Sequence, residues 1–310
     1  MNRAVKLYTI NGFLGSGKTT FLKNILEKNE NLKIGVIQNE FGKIGIDGEI
    51  IKKDGMEMIE INRGSIYCSC LQLSFIEALK EMYDRQVEYL FVEGSGLADP
   101  SNMNEILDAL DSVQSNAMDY KGAICLVDSA QFLEQLDEIE TVEKQLKHSQ
   151  LAILNKIDLV DKTKVDKIKS VIKEIKSDIL FEEASFGKFE WNFMDKDLME
   201  LSPMNFQETI NSPDNKPKTL HMTFEEVINI SEFEKFINII KKDCYRIKGF
   251  VEFDDGWKQI DAVGPKVDYK NINEEKSGSQ IVFISKIGPL VIKPIFSNWE
   301  ELVRVEMKVR

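Results

Sequence analysis

The chain has 310 residues, 43% of them hydrophobic and 30% charged, and 52 acidic against 40 basic side chains leave a net charge of −12. This length suits two domains with their own cores, the acidic balance argues against a nucleic-acid groove, and no apolar run approaches the ~20 residues that span a bilayer. Four cysteines and two histidines are too few and too scattered for a disulfide scaffold or a histidine-rich metal store. With no signal-peptide stretch at the N-terminus, a cytoplasmic chain without nucleic-acid or membrane partners is expected.

Residues 4–10 read as a buried strand, and 19–28 as a helix with Phe21, Leu22, Ile25 and Leu26 on one face. Between them, Gly12-Phe13-Leu14-Gly15-Ser16-Gly17-Lys18-Thr19 fits the phosphate-loop pattern G-x-x-x-x-G-K-[ST] without a mismatch. Gly12, Gly15 and Gly17 let the backbone curl so that its N–H groups converge on one anion, and the helix adds the positive end of its dipole. Gly12, Gly15, Ser16, Gly17, Lys18, Thr19 and Thr20 are the expected phosphate contacts. Lys18 reaches the terminal phosphates, and the Thr19 hydroxyl is placed to ligate magnesium.

Further strands are expected at 33–38, 56–61, 87–92, 121–127, 151–155 and 178–182, with helices at 73–85, 101–114, 129–147 and 162–176. Such alternation predicts an α/β domain over residues 1–204, a P-loop NTPase with a mostly parallel sheet covered on both faces. After the second strand, Asn39 to Asp47 suggests a segment ordered by a γ-phosphate and metal, in which Glu40 and Asp47 are the candidates for metal or water contacts. Cys68 and Cys70 are two thiols two positions apart. They read either as transition-metal ligands, joined by Glu40 if the fold brings it near, or as partly buried free thiols. Glu93 ends an apolar strand, where a magnesium-linked carboxylate belongs, and the Gly96 N–H is placed to sense a γ-phosphate.

Cys125 lies inside an apolar strand and reads as core, Cys244 as packing at the end of a helix, and His221 as a strand residue. His148 falls at a helix C-terminus, where a cation suits the dipole. Asn155-Lys156-Ile157-Asp158 follows a strand directly, and N-K-x-D at a strand end is a guanine reader. Asp158 can accept from two guanine donors that adenine lacks, Asn155 can bond near the base's carbonyl edge, and the Lys156 stem can lie along the ring. Residues 205–218 are rich in Asn, Pro and Lys and read as a linker. A smaller α+β domain is expected over 219–310, with strands at 219–224, 245–253, 257–263, 267–271 and 280–286 and a helix at 230–242.

In this order, GFLGSGKTT, NEFGKIGID, the cysteine segment, EGSGLADP, VDS at 127–129 and LNKIDLV resemble the CobW-like GTPases, relatives of the nickel-insertion GTPases of hydrogenase and urease maturation. Tyr245-Arg246-Ile247-Lys248-Gly249-Phe250 resembles the R-x-K-G-F strand of the CobW C-terminal domain, so the likeness covers nearly the whole chain. The resemblance implies GTP and magnesium, slow hydrolysis with Lys18, Asp47 and Glu93 around the reacting phosphate, and zinc or another transition metal at Glu40, Cys68 and Cys70. It also implies a metallochaperone or insertion factor in metal or cobalamin metabolism. The expected partner is a client metalloprotein or corrinoid-dependent enzyme, and a nucleotide-dependent homodimer is compatible with it.

Two departures bear on the metal. Members usually carry C-x-C-C, where this chain has Ser65-Ile66-Tyr67-Cys68, and Lys43 stands where an acid often follows N-E-F-G. The alternative is a GTP-driven conformational chaperone of such an enzyme that carries no metal itself. A small-molecule kinase is a third reading, against which N-K-x-D and Glu93 argue.

Overall fold

The computed structural model describes residues 3–40, 57–62, 65–67, 71–188, 194, 196–202, 219–273, 276 and 278–309, with the backbone alone at 40, 62 and 138. The chain divides into two compact units, Met1–Asn215 and Lys216–Arg310. The linker expected at 205–218 lies outside the described residues. No helix among the described residues is long and apolar enough to cross a membrane.

In the first unit the strands are β1 (Val5–Asn11), β2 (Ile34–Glu40), β3 (Glu57–Asn62), β4 (Tyr89–Glu93), β5 (Met118–Asp128), β6 (Leu151–Asn155) and β7 (Leu180–Glu183). They form one sheet in the order β3-β2-β4-β1-β5-β6-β7, parallel at every pairing. The helices are α1 (Lys18–Lys28), α2 (Gln72–Asp84), α3 (Met103–Val113), α4 (Phe132–Glu138), α5 (Glu140–Lys147), α6 (Lys162–Ile175) and α7 (Leu198–Leu201). β1 is buried on both faces, as a parallel strand between helical layers must be. Tyr8 and Ile10 pack with Phe21, Leu22 and Ile25 of α1, while Val5 and Leu7 pack with Phe75 and Leu79 of α2 and Ile106 of α3. From β1 the chain builds β2 to β4 on one side and β5 to β7 on the other. The loop after β1 therefore opens at the reversal point of the sheet, where open α/β sheets place their ligands.

The second unit is antiparallel, in the order β11-β10-β9-β12-β8-β13. Its strands are β8 (Thr219–Phe224), β9 (Cys244–Phe253), β10 (Gly256–Val263), β11 (Lys266–Asn271), β12 (Ser279–Ser285) and β13 (Lys308–Val309). Helices α8 (Ile230–Ile240) and α9 (Ile292–Leu302) share its core, where the Trp299 ring lies 4.9 Å from Phe224 and 5.1 Å from Phe236.

Three readings change. The helix expected over 129–147 is two helices, because Ile139 between them is extended and buried. Helix α9 was not foreseen: Pro289 and Pro294 interrupt the sequence signal. Pro289 falls in the 3-10 turn before the helix and Pro294 in its first turn, where no backbone donor is needed. His148 does follow α5, but it is 2% exposed and burial pushes its pKa below the ordinary value, so it is neutral and adds no charge to the dipole. Asp99 opposes that shift and Lys176, Lys144 and Lys147 reinforce it.

The sign of the pH dependence follows. A depressed histidine binds fewer protons folded than unfolded, so its contribution to stability is complete above the unfolded pKa of about 6.5 and is lost as pH falls below it. The thermal midpoint should drop more steeply between about pH 7 and about pH 5 in the wild type than in His148→Gln. Parallel slopes would mean that His148 does not titrate in this way.

Candidate functional site

The C-terminal ends of β4, β1, β5 and β6 lie side by side, and register brings Ile10 opposite Glu93 and Asp128 opposite Asn155. Gly12 leaves β1 with φ +132°, and a Cβ there would fall 2.3 Å from the Leu126 carbonyl oxygen. Gly17 caps α1 at φ +99°, where a Cβ would meet Asn155 Nδ2 at 2.4 Å. Two positions thus need glycine, for the conformation and for the close approach. The first turn of α1 carries no acidic side chain of its own, which leaves its N–H groups and dipole suited to an anion. Lys18 Nζ donates to the Gly12 and Phe13 carbonyls at 2.7 and 3.2 Å, which holds the ammonium over the loop. Ser16 is buried and its Oγ has no partner among the described residues, as befits a hydroxyl lining a phosphate cradle. Thr20 is exposed.

Beside the loop, Glu93 is 5% exposed and both its oxygens are engaged. Thr19 Oγ1 donates to Oε1 at 3.1 Å, and Gln38 Nε2 donates to Oε2 at 3.0 Å. A hydroxyl and a carboxylate at this spacing make a hard-oxygen set of the kind magnesium takes. Gly96 follows closely, and a Cβ on it would fall 2.7 Å from the Leu14 amide nitrogen, so this segment lies directly on the phosphate loop.

At the other end, Asn155 uses its whole amide within the protein. Nδ2 donates to the Ser16 carbonyl at 2.9 Å, and Oδ1 accepts from Gly187 N at 3.0 Å. The residue expected at the base's carbonyl edge therefore ties two loops together. Lys156 takes φ +62°, and its Nζ reaches Asp128 Oδ2 at 2.5 Å, which stretches its stem across the ends of β6 and β5. Asp158 lies exposed in the 3-10 turn Ile157–Leu159.

Sequence reasoning gave no role to three parts of this arrangement, although Asp128 lies within the VDS motif at 127–129. Gln38 carries no pattern. Asp128, 3% exposed, had a signal, since an acid ends an apolar strand there as at Glu93. The Ser185–Lys188 turn after β7 meets the site through Gly187, and the Phe186 carbonyl accepts from Asn24 Nδ2 at 2.9 Å.

The proposed metal ligands Cys68 and Cys70, the side chain of Glu40, and Asp47 lie outside the described residues. Among the described residues no group of three or more His, Cys, Asp and Glu could hold a metal ion. The turn before Cys68 is described and firmly seated. Ile66 N donates to Asn39 Oδ1 at 3.1 Å, and Asn102 Nδ2 donates to the Tyr67 carbonyl at 2.7 Å. Tyr67 OH points to Asn11 Oδ1 at 3.5 Å, and the Tyr67 ring is fully buried edge-on to Phe75. Burial pushes its phenol far above the usual range. Cys125 and Cys244 are both buried, and desolvation pushes each thiol up to about 12, so neither is a thiolate at neutral pH.

Residues 6–182 match the family described as CobW/HypB/UreG, nucleotide-binding domain, and residues 218–291 match the cobalamin synthesis protein cobW C-terminal domain. A zinc chaperone CobW of Sinorhizobium is 31% identical over 198 residues, covering 54% of each chain. A zinc-regulated GTPase metalloprotein activator 1 of Dictyostelium discoideum is 29% identical over 202 residues, 54% of this chain and 42% of that one. A zinc chaperone CobW of Pseudomonas aeruginosa is 30% identical over 292 residues, 78% of this chain and 75% of that one. The chain thus spans about half the length of the first two relatives.

The close approach at Gly12 sets a test. Gly12→Ala must move the loop off the Leu126 carbonyl, which should weaken binding of a fluorescent nucleoside triphosphate by about tenfold or more. Unchanged affinity would mean that this loop does not hold the phosphates.

Proposed function

The chain belongs to the CobW/HypB/UreG family, and from that premise we propose that it binds and hydrolyses GTP and serves a metalloprotein client as a metallochaperone or insertion factor. The observation that carries the GTP half is a pair of hydrogen-bonded sets on the same loop: Gln38 and Thr19 hold Glu93 beside it, and Asn155 ties its Ser16 carbonyl to Gly187 after β7.

In this reading the reaction is phosphoryl transfer to water, governed by positioning and charge stabilisation. Loop amides and Lys18 hold the β- and γ-phosphates. Thr19 and Glu93, with Asp47 from the intervening segment, hold magnesium, which when bound neutralises charge on those phosphates. Gly96 offers its N–H to the γ-phosphate. Asp158, exposed at the strand ends, accepts from the guanine donors while the stretched Lys156 stem lies against the ring. Asp47 and Glu93 are the two candidates to orient the attacking water.

For the client half, the names of the relatives support zinc as the cargo, with Glu40, Cys68 and Cys70 as its ligands and a metallo- or corrinoid-enzyme as the recipient. One observation favours the alternative, a GTP-driven conformational chaperone without metal. Where the C-x-C-C pattern has its second cysteine this chain has Tyr67, a 0%-exposed core residue that faces Phe75 rather than a metal.

Lys18→Ala should abolish GTP turnover in a phosphate-release assay, and wild-type rates would overturn the site assignment. Asp158→Asn should weaken GTP by about tenfold and improve binding of xanthosine triphosphate, because one oxygen that accepts from the guanine donors becomes a donor itself. Unaltered GTP affinity there would remove the guanine-reading role. Zinc titration of the full chain separates the two client readings. The metallochaperone predicts binding that depends on nucleotide and is lost in Cys68→Ala, whereas the conformational chaperone predicts neither.

A further inference from the structure

Helix α5 carries none of the loop motifs, yet one of its side chains is committed to them. Gln145 is 1% exposed, and its Nε2 donates to the Gly96 carbonyl at 3.2 Å and the Ala98 carbonyl at 2.9 Å. Both hydrogens of one amide thus bracket Leu97 and fix the backbone on either side of it. The neighbouring Lys144 ammonium lies 3.7 Å from the Asp99 carboxylate, and Gly94 N donates to the Ile10 carbonyl at 3.0 Å, so the segment is held at both ends as well. Between these ties Gly96 rests against Leu14 of the phosphate loop at a distance that excludes a Cβ.

The amide's own orientation is determined. Gln145 Oε1 has no partner among the described residues, and turning the amide over would set that oxygen against two carbonyl oxygens. The donors therefore fix the group, and the group in turn fixes the Gly96 and Ala98 carbonyls.

We propose that Gln145 is the positioning residue of the γ-phosphate-sensing segment: it holds Gly96 ready to meet a γ-phosphate and so sets the preference for GTP over GDP. This rests on the GTP reading given above. GDP has no γ-phosphate and makes no use of Gly96. Pre-organising the backbone that follows the Gly96 N–H therefore strengthens the triphosphate alone, because a ligand gains only from a state it binds better. A purely structural glutamine would support both nucleotides equally.

The test uses the full chain with magnesium, titrated with GDP and with a non-hydrolysable GTP analogue. Gln145→Met keeps the length of the side chain and removes both donors. Gln145→Glu keeps its shape and turns the donors into a repelling oxygen. In each variant GDP affinity should stay within about twofold while the analogue weakens by about tenfold, the worth of one or two buried hydrogen bonds. GDP binding reports that the variant is folded, and either variant alone decides the matter. An unchanged ratio, or equal weakening of both nucleotides, overturns the inference. A wild type that binds both nucleotides but does not distinguish them overturns the γ-sensing reading and the inference with it. A wild type that binds neither overturns the GTP assignment itself.

Discussion

A carboxylate buried at the end of a central strand governs the arrangement of this site. Glu93 is 5% exposed, and a charge so placed costs several kcal/mol unless hydrogen bonds compensate it. Thr19 and Gln38 supply them, one from the start of α1 and one from the neighbouring strand β2. Their positions are not adjustable separately. Register puts Gln38 opposite Glu93, and the tight exit at Gly12 delivers Thr19 to the other oxygen. The acid thus locks the phosphate loop, β2 and β4 into one geometry. The chemistry proposed for the site uses that same acid.

The reversal of strand order makes this possible. Because β1 sits between β4 and β5, its loop is flanked by Glu93 on one side and by Asp128 and Asn155 on the other. A phosphate end and a base end then arise from strands far apart in sequence. The Asn155 amide spans them, with Ser16 of the phosphate loop on one side and Gly187 after β7 on the other. The loop after β1 and the turn after β7 are in this way mechanically joined.

Segments at the strand ends were legible in the sequence as patterns of fixed spacing: Gly12 to Thr19, Glu93, and Asn155 to Asp158 stand out, and the fold brings the ends of these strands side by side. The parallel sheet was legible too, since strands buried on both faces read as continuous apolar runs. What did not show were residues that face other loops. Gln38, Asn39, Asn102 and Gln145 bond to a carboxylate or to backbone groups at positions set only by the fold, and no periodicity marks them. Asn155 was read for its chemistry toward a base, which its pattern suggests, while its bonds to two loops depend on a turn 32 residues away. The break at Ile139 and helix α9 were obscured for a different reason. A buried extended isoleucine fits a helical stripe as well as a hinge, and prolines at the start of a helix resemble prolines that prevent one.

The recurrence of uncharged amides around the site has a physical rationale. Loops lack the ladder partners of helices and strands, so their buried N–H and C=O groups must be met by side chains. Lysine or arginine could meet the carbonyls, and aspartate or glutamate the amides, but each would place a full charge beside a phosphate-binding loop. Extra anions would repel the nucleotide, and extra cations would compete with magnesium for its phosphates. An asparagine or glutamine offers donor and acceptor together, adds no net charge, and does not titrate. Here the buried acid that contacts the phosphate loop among the described residues, Glu93, has both oxygens occupied, and the turn before Cys68 is seated by Asn39 and Asn102. Among the described residues, Lys18, the α1 dipole and Glu93 stand at the phosphate loop itself, while Gln38, Asn39, Asn102, Gln145 and Asn155 hold the surrounding loops without adding net charge.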